Sequence, residues 1–209
     1  MMKVLDKENW NRKEHFEFFS QCNEPFFGIT VEVDVTKAYQ LCKANDWSFF
    51  LYYHFLSTQA VNEVPAFRYR IKGDNVVVFD QIHTTTTLLR EDKTFMFSYM
   101  PYTQSFEEFV AAAAKEKERA QNSTGLGMNE HTARLDTIHY SAIPWINFKG
   151  LTHARNFDWA DSHPKISFGK LGKNERQIKM PVAIFVHHGL MDAYHVSQYI
   201  DGFQDLLQR

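Results

Sequence analysis

The chain has 209 residues with 44% hydrophobic content, enough to bury a sizeable core as one domain over residues 1–209. Its 23 basic and 25 acidic residues leave a formal charge of -2, so the composition indicates neither a nucleic acid partner nor an anionic membrane. Cys22 and Cys42 provide no disulfide framework and no zinc-ligand spacing. Because the sequence shows no apolar export segment and no membrane span, we expect a cytoplasmic protein.

The first third of the chain predicts three helices and one strand. Mixed charges and phenylalanines indicate a short helix over residues 12–22, and the alternating β-branched residues of 28–35 indicate a half-buried strand. Residues 37–45 and 48–63 predict two further helices. The second of these is apolar on nearly all sides, so it is expected in the core or between subunits.

The rest of the chain predicts mainly antiparallel strand pairs. A turn over residues 72–75 makes residues 67–80 a hairpin, because its Gly and Asn tolerate positive φ. Ser105 and Glu108 predict a capping box that opens a helix over residues 105–122. Further strands are predicted at 84–89, 94–99, 136–143, 166–171 and 177–186, the last two joined by a turn over 172–175. The predicted fold class is α+β, a two-layer sandwich with a mostly antiparallel mixed sheet covered by helices.

Near the end of the chain, a strand, a turn and a helix place two histidines at the mouth of the sheet. Residues 181–186 predict a buried strand, His187 and His188 follow in a polar turn, and Asp192 can cap the next helix. Imidazole has its unperturbed pKa nearest neutrality, so a histidine here can accept and return a proton during a reaction. The apolar residues of the helix recur on one face: Val196, Tyr199, Ile200, Phe203 and Leu207.

A metal site is an alternative interpretation of the same segment. His188, Asp192 and His195 have the spacing i, i+4 and i+7, so they would share a helix face if the helix began early. Neither a His-Glu-x-x-His motif nor a cysteine pair supports such a centre. Proton transfer is therefore the leading hypothesis for this segment.

Four stretches of the chain share motifs with one enzyme family. The signature His-His-x-x-x-Asp-Gly-Phe/Tyr-His is closely matched by His187-His188-Gly189-Leu190-Met191-Asp192-Ala193-Tyr194-His195. Its core, His-x-x-x-Asp, is short and is shared with dihydrolipoyl acyltransferases and condensation domains. Three further matches occur in the right order and spacing: Trp10-Asn11-Arg12-Lys13-Glu14-His15-Phe16, Phe67-Arg68-Tyr69-Arg70-Ile71-Lys72-Gly73-Asp74 and Ser141-Ala142-Ile143-Pro144-Trp145-Ile146-Asn147-Phe148. Over almost its whole length the chain thus resembles the chloramphenicol acetyltransferase family.

This resemblance implies an activity, an assembly and a set of site residues. The expected enzyme moves the acetyl group of acetyl-CoA, its cosubstrate, to a hydroxyl of chloramphenicol without a metal, and so confers antibiotic resistance. The expected assembly is a homotrimer with active sites between subunits. His188 matches the family's general base and Ser141 the serine that assists the tetrahedral intermediate. Arg12 and Asp192 match a salt bridge that braces the turn. Residues matched to the acceptor pocket are Phe19, Phe95, Ser167 and His153, and those matched to the coenzyme A channel are Trp145 and Lys170.

Several residues depart from the family pattern. Ala193 replaces the signature glycine, and it would be strained if the backbone there needs positive φ. Phe19 replaces a pocket tyrosine, while His153 and Arg155 stand where apolar residues face the drug. Gly189 stands where alanine or serine is usual, and near coenzyme A the departures are Ser48, Phe50 and Leu171. Two alternatives therefore stay open: an O-acetyltransferase of a different hydroxylated acceptor, whose polar group His153 and Arg155 would recognise, and a catalytically idle binding protein of the same fold.

Overall fold

The computed structural model describes residues 1–156 and 160–209 and contains one large and one small β-sheet. The strands are β1 (Met2–Val4), β2 (Phe26–Asp34), β3 (Tyr69–Lys72), β4 (Asn75–Phe79), β5 (His83–Leu89), β6 (Phe95–Met100), β7 (Thr137–Ile143), β8 (Lys165–Gly169), β9 (Gly172–Lys173) and β10 (Ile178–His187). The helices are α1 (Lys13–Phe19), α2 (Thr36–Ala44), α3 (Phe49–Glu63), α4 (Phe106–Gln121) and α5 (Ala193–Leu207). The predicted α+β fold class, with a mostly antiparallel mixed sheet, is confirmed.

The strand order of the large sheet decides where its loops lie. The order is β2-β10-β8-β7-β5-β6, with β9 paired to β10. Strand β7 runs parallel to β5 and β8, and the other described pairs are antiparallel. The carboxyl ends of β5, β7 and β8 therefore lie at one edge of the sheet. Because β10 runs antiparallel to β8, its carboxyl end and the histidine turn lie at the opposite edge.

Helices α3 and α5 pack together on one face of this sheet and enclose the core. Tyr53 of α3 packs on Phe168 of β8, with ring centroids 4.7 Å apart, and the Ser57 hydroxyl contacts the hydroxyl of Tyr199 at 2.7 Å. The predicted apolar face of α5 is confirmed, with four fully buried members and the half-buried Ile200: Val196, Tyr199, Phe203 and Leu207. Helix α3 is buried in the core, one of its two predicted locations. Among the described residues, every helix is too short or too polar to cross a lipid bilayer.

A small antiparallel sheet of order β1-β4-β3 lies beside the large one. It contains the predicted hairpin, in which Gly73 has φ +57° at the turn between β3 and β4. Strand β1 was not predicted, because its three residues are too few to establish a strand pattern in the sequence. It forms through a pairing distant in sequence, in which Met2 lies opposite Phe79.

Three predicted local details differ from the structure. Helix α1 ends at Phe19 rather than residue 22, since the amide of Cys22 bonds to the Phe19 carbonyl in a turn. Of the two hydrogen bonds of the predicted α4 capping box, the described structure contains one, from the Glu108 amide to the Ser105 hydroxyl. The last hairpin turns around Asn174, whose side chain accepts bonds from two following amides, so the turn lies two residues later than predicted.

Candidate active site

His188 lies in the turn between β10 and α5, and residues outside this turn bond to its backbone on both sides. The His188 amide donates to the carbonyl of Pro25 at 2.8 Å, and the His188 carbonyl accepts from Nη2 of Arg12 at 3.1 Å. The amides of Leu190 and Met191 both donate to the His187 carbonyl, closing the turn before α5 begins. The predicted placement of the histidine pair at a strand end is therefore confirmed.

The predicted pairing of Arg12 with Asp192 is present. Nη1 of Arg12 lies 2.6 Å from Oδ2 of Asp192, and the arginine is 8% exposed. Burial disfavours a charged Asp192, but the hydrogen bond and positive charge of Arg12 outweigh burial and hold the pKa of this carboxyl below its ordinary value. One arginine thus joins α1 to the His188 carbonyl and to the start of α5.

The metal arrangement considered from the sequence does not form. Asp192 is the N-cap of α5 and forms a capping box with His195, whose Nδ1 accepts from the Asp192 amide at 3.3 Å and also lies 2.9 Å from Oδ1 of Asp192. These two side chains therefore bind each other at the helix start. No group of three or more His, Cys, Asp or Glu side chains in the described parts of the chain is placed to hold a metal ion.

The His188 imidazole lies between two phenylalanines. The ring of Phe19 stacks on it at 3.9 Å with an interplanar angle of 9°, and Phe27 approaches at 4.6 Å and 47°. Nδ1 of His188 is buried and has no hydrogen-bond partner within the described structure. Aromatic contacts therefore orient this ring, and one of them comes from Phe19, whose place in the acceptor pocket stays a prediction. Phe27 was missed, since only the pairing of β2 with β10 brings it to the turn.

Ser141 lies far from His188 within one chain. In the sheet register, Ser141 lies opposite Ser167, and Ser167 lies opposite Ala183, five residues before His188. Two strand spacings and five residues along β10 correspond to a separation of roughly 19 Å between the Cα atoms of Ser141 and His188. Their side chains reach only a few ångströms, so one copy of the chain does not bring the two groups together.

Two predicted acceptor-side residues do meet. Nε2 of His153 lies 3.4 Å from the Ser167 hydroxyl, and the His153 ring packs edge-on against Phe185 at 4.9 Å. Burial, followed by the charge of Lys165, lowers the pKa of His153, which favours its neutral form near pH 7. A neutral imidazole beside a hydroxyl is suited to hydrogen bonding rather than to binding an anion.

Arg155, the other polar departure on this side, is already occupied by neighbours. Its guanidinium lies 3.5 Å from the centre of the Phe26 ring, and Nη1 lies 3.0 Å from Oε1 of Glu24. The positive charge is therefore balanced within the chain. Arg155 is therefore less available to recognise a polar group of an acceptor.

The remaining predicted residues lie toward the other edge of the sheet. The Lys170 amide donates to the Ile146 carbonyl at 2.9 Å, so Lys170 lies beside the segment that carries the exposed Trp145. Phe95 is half exposed at the start of β6 and contacts Phe97 at 5.7 Å. These residues are therefore accessible, and the length of the strands separates them from His188.

The departures at the helix starts have simple structural explanations. Ala193 is the first residue of α5. Among the described non-glycine residues, positive φ occurs only at Asp46 and Lys93, so the backbone strain considered for Ala193 is absent. Ser48 caps α3 by accepting from the Leu51 amide at 3.4 Å. Ser48 and Phe50 also line a cleft of about 870 Å³ between α3, α4 and the β5–β6 pair, away from the histidine turn.

Comparison with known proteins agrees with this geometry. The sequence profile of the family described as "Chloramphenicol acetyltransferase" matches residues 1–204. The chain is 29% identical to a chloramphenicol acetyltransferase of Bacillus pumilus over 209 residues, covering all of this chain and 94% of the relative. It is also 29% identical to chloramphenicol acetyltransferase 3 of Escherichia coli, covering 97% of this chain and 95% of that one. A solved chloramphenicol acetyltransferase structure superposes with a TM-score of 0.91 at 33% identity, covering 99% of this chain and 100% of the other. The chain therefore belongs to the chloramphenicol acetyltransferase family, and by that membership it is an acetyl-CoA-dependent O-acetyltransferase.

Proposed function

We propose that this protein acetylates a hydroxyl of chloramphenicol, with His188 as the general base. The observation that carries the proposal is the histidine turn, where the His188 ring is stacked on Phe19 and its backbone is held by Arg12. Membership of a family whose similar members are named for chloramphenicol supports the choice of acceptor.

The reaction needs a base, a leaving group and a donor for the oxyanion. His188 removes the proton of the acceptor hydroxyl as its oxygen attacks the carbonyl carbon of acetyl-CoA. The tetrahedral intermediate carries a negative oxygen, to which the Ser141 hydroxyl donates a hydrogen bond. When the carbon–sulfur bond breaks, the thiolate of coenzyme A receives the proton that His188 carries. The products are the acetyl ester and free coenzyme A, and the histidine is restored.

We infer that each complete site forms between two copies of the chain in a homotrimer. The supporting observation is the separation of roughly 19 Å between His188 and Ser141 in one copy, estimated from strand geometry. A second copy that presents its Ser141 edge to the histidine turn would bring the two groups together. Within a cyclic assembly this contact repeats at every interface.

The same arrangement divides the substrates between the two sides of the site. The neutral His153, whose Nε2 contacts the buried Ser167 hydroxyl, offers a hydrogen bond to the acceptor, while Phe95 offers an apolar surface. Trp145 and Lys170 are exposed next to one another and suit the adenine and phosphate groups of coenzyme A, through stacking and charge. These assignments extend the roles predicted from the sequence.

Neither alternative function is favoured. The idle binding protein was suggested by the altered coenzyme A positions and by Ala193, and the backbone of Ala193 is unstrained. The different acceptor was suggested by His153 and Arg155, but Glu24 neutralises Arg155 and burial favours the neutral form of His153. Acetyl-CoA should raise the melting temperature of the protein, by an amount that grows with the logarithm of its concentration above the dissociation constant.

The test is release of the coenzyme A thiol from acetyl-CoA, with and without chloramphenicol. Wild type should release thiol only when the drug is present, and His188→Ala should lower the rate by about 10²- to 10⁴-fold. His131→Ala, which removes an exposed histidine, is the matched control and should keep the wild-type rate. Drug-independent or absent release by wild type would contradict chloramphenicol as the acceptor. An active His188→Ala variant would contradict the role of His188 as the general base.

A further inference from the structure

His187, the other member of the histidine pair, makes a contact that the proposed reaction does not use. It is 4% exposed, and its Nδ1 accepts a hydrogen bond from the Gly189 amide at 3.1 Å. Its ring packs edge-on against Phe26 at 5.5 Å. The side chain of one histidine is thus bonded to the peptide that follows the other.

The contact requires a neutral imidazole. An amide N–H donates, so Nδ1 of His187 must be unprotonated and the ring proton must lie on Nε2. Burial, together with the positive charge of Arg155, lowers the pKa of His187 to about 4, which keeps the ring neutral at physiological pH. Nδ1 of His187 is therefore able to accept this hydrogen bond at physiological pH.

The turn is tightly packed around Gly189. A Cβ atom added at Gly189 would lie 3.1 Å from Cε1 and 3.2 Å from Nδ1 of His187, and 3.3 Å from Cα of Phe16 in α1. The ring of His187 and the backbone of α1 therefore both lie close to Gly189. A shift of the ring would be transmitted to the peptide beside it.

The His188 backbone is then bonded at three consecutive groups. Its own amide bonds to Pro25, its carbonyl to Arg12, and the next amide, that of Gly189, to the His187 ring. The His188 side chain has aromatic contacts but no hydrogen bond at Nδ1 in the described structure. Its direction therefore depends on how firmly this backbone is held.

We propose that His187 is a positioning residue for the acetyl transfer: its Nδ1 holds the Gly189 amide and so sets the direction from which the His188 imidazole meets the acceptor hydroxyl. The proposal rests on His188 being the base of the proposed function. His187 itself touches no reacting atom. A displacement near 1 Å at such a group costs about 100-fold in rate.

Two variants with amide side chains distinguish the bond to Gly189 from a general need for a polar side chain at position 187. In His187→Asn the side-chain oxygen takes the place of Nδ1 and can accept from Gly189, whereas in His187→Gln it extends to the place of Nε2 and cannot. The kcat of His187→Asn should exceed that of His187→Gln by about tenfold or more, and KM values for both substrates should change by less than about threefold. Hydrogen exchange at the Gly189 amide should stay slow in the Asn variant and become fast in the Gln variant.

Several outcomes would overturn the positioning role. Equal kcat values for the two variants, or a higher value for His187→Gln, would show that the bond to Gly189 does not matter for the reaction. Loss of cooperative folding in both variants would assign His187 to folding instead. Failure of the proposed function gives a different result. Wild type would then be inactive toward chloramphenicol, while hydrogen exchange at the Gly189 amide would still report its bond to His187.

Discussion

Subunit complementation tests whether the active site is shared between copies of the chain. Ser141→Ala and His188→Ala each remove one of two groups that lie roughly 19 Å apart in a single copy, by the strand spacings of the sheet. If each site combines His188 of one copy with Ser141 of the next, a mixed assembly contains some interfaces with both groups intact. If the site lay within one copy, no mixture could restore it.

The expected recovery follows from counting interfaces. In a random 1:1 mixture, an interface needs its histidine from a Ser141→Ala copy and its serine from a His188→Ala copy, so about one quarter of the interfaces of a cyclic assembly are complete. Loss of one oxyanion donor lowers kcat by about 10²- to 10³-fold, and loss of a general base by about 10²- to 10⁴-fold. The mixture should therefore reach about 25% of wild-type activity, whereas each parent stays near 1% or below.

The assay is chloramphenicol-dependent thiol release after the two variants are unfolded together and refolded. A mass tag on one variant shows by native mass spectrometry that mixed assemblies formed. Parents refolded separately and then combined serve as the control, and they should stay at the level of the parents. Mixed assemblies whose activity equals the sum of the parents would refute a site shared between copies.

Two further predictions concern stability. Arg12→Ala removes the bonds to Asp192 and to the His188 carbonyl, so the free energy of unfolding should fall by about 2–4 kcal/mol. Arg12→Lys should lower it by roughly half as much. An unchanged urea midpoint for Arg12→Ala would show that this pair does not brace the turn. Burial lowers the pKa of His54 in the core to about 3, so between pH 6.5 and 3 the unfolded chain binds a proton that the folded chain does not. The free energy of unfolding should therefore fall with decreasing pH by up to about 1.4 kcal/mol per pH unit from this residue. Urea unfolding at several pH values should show a shallower slope for His54→Gln, and an equal slope would contradict the assignment.

The sequence alone was sufficient for features that depend on neighbouring residues. Alternation of apolar residues predicted β2, and a continuous apolar run predicted the buried part of β10. The spacing of apolar residues predicted the buried face of α5, and Gly73 predicted the hairpin turn. Each of these patterns reflects a local geometry, the period of a strand or helix or the φ of a turn, which a short segment expresses by itself. The family motifs likewise indicate His188 as the base, a role that stays a prediction.

Only the tertiary structure decided how distant segments meet. Strand β1 exists because Met2 pairs with Phe79, and Phe27 reaches His188 because β2 pairs with β10. The same register separates Ser141 from His188, although the sequence motifs name both for one reaction. Strand register and side-chain contacts between remote segments depend on the packing of the whole chain, so no local pattern determines them.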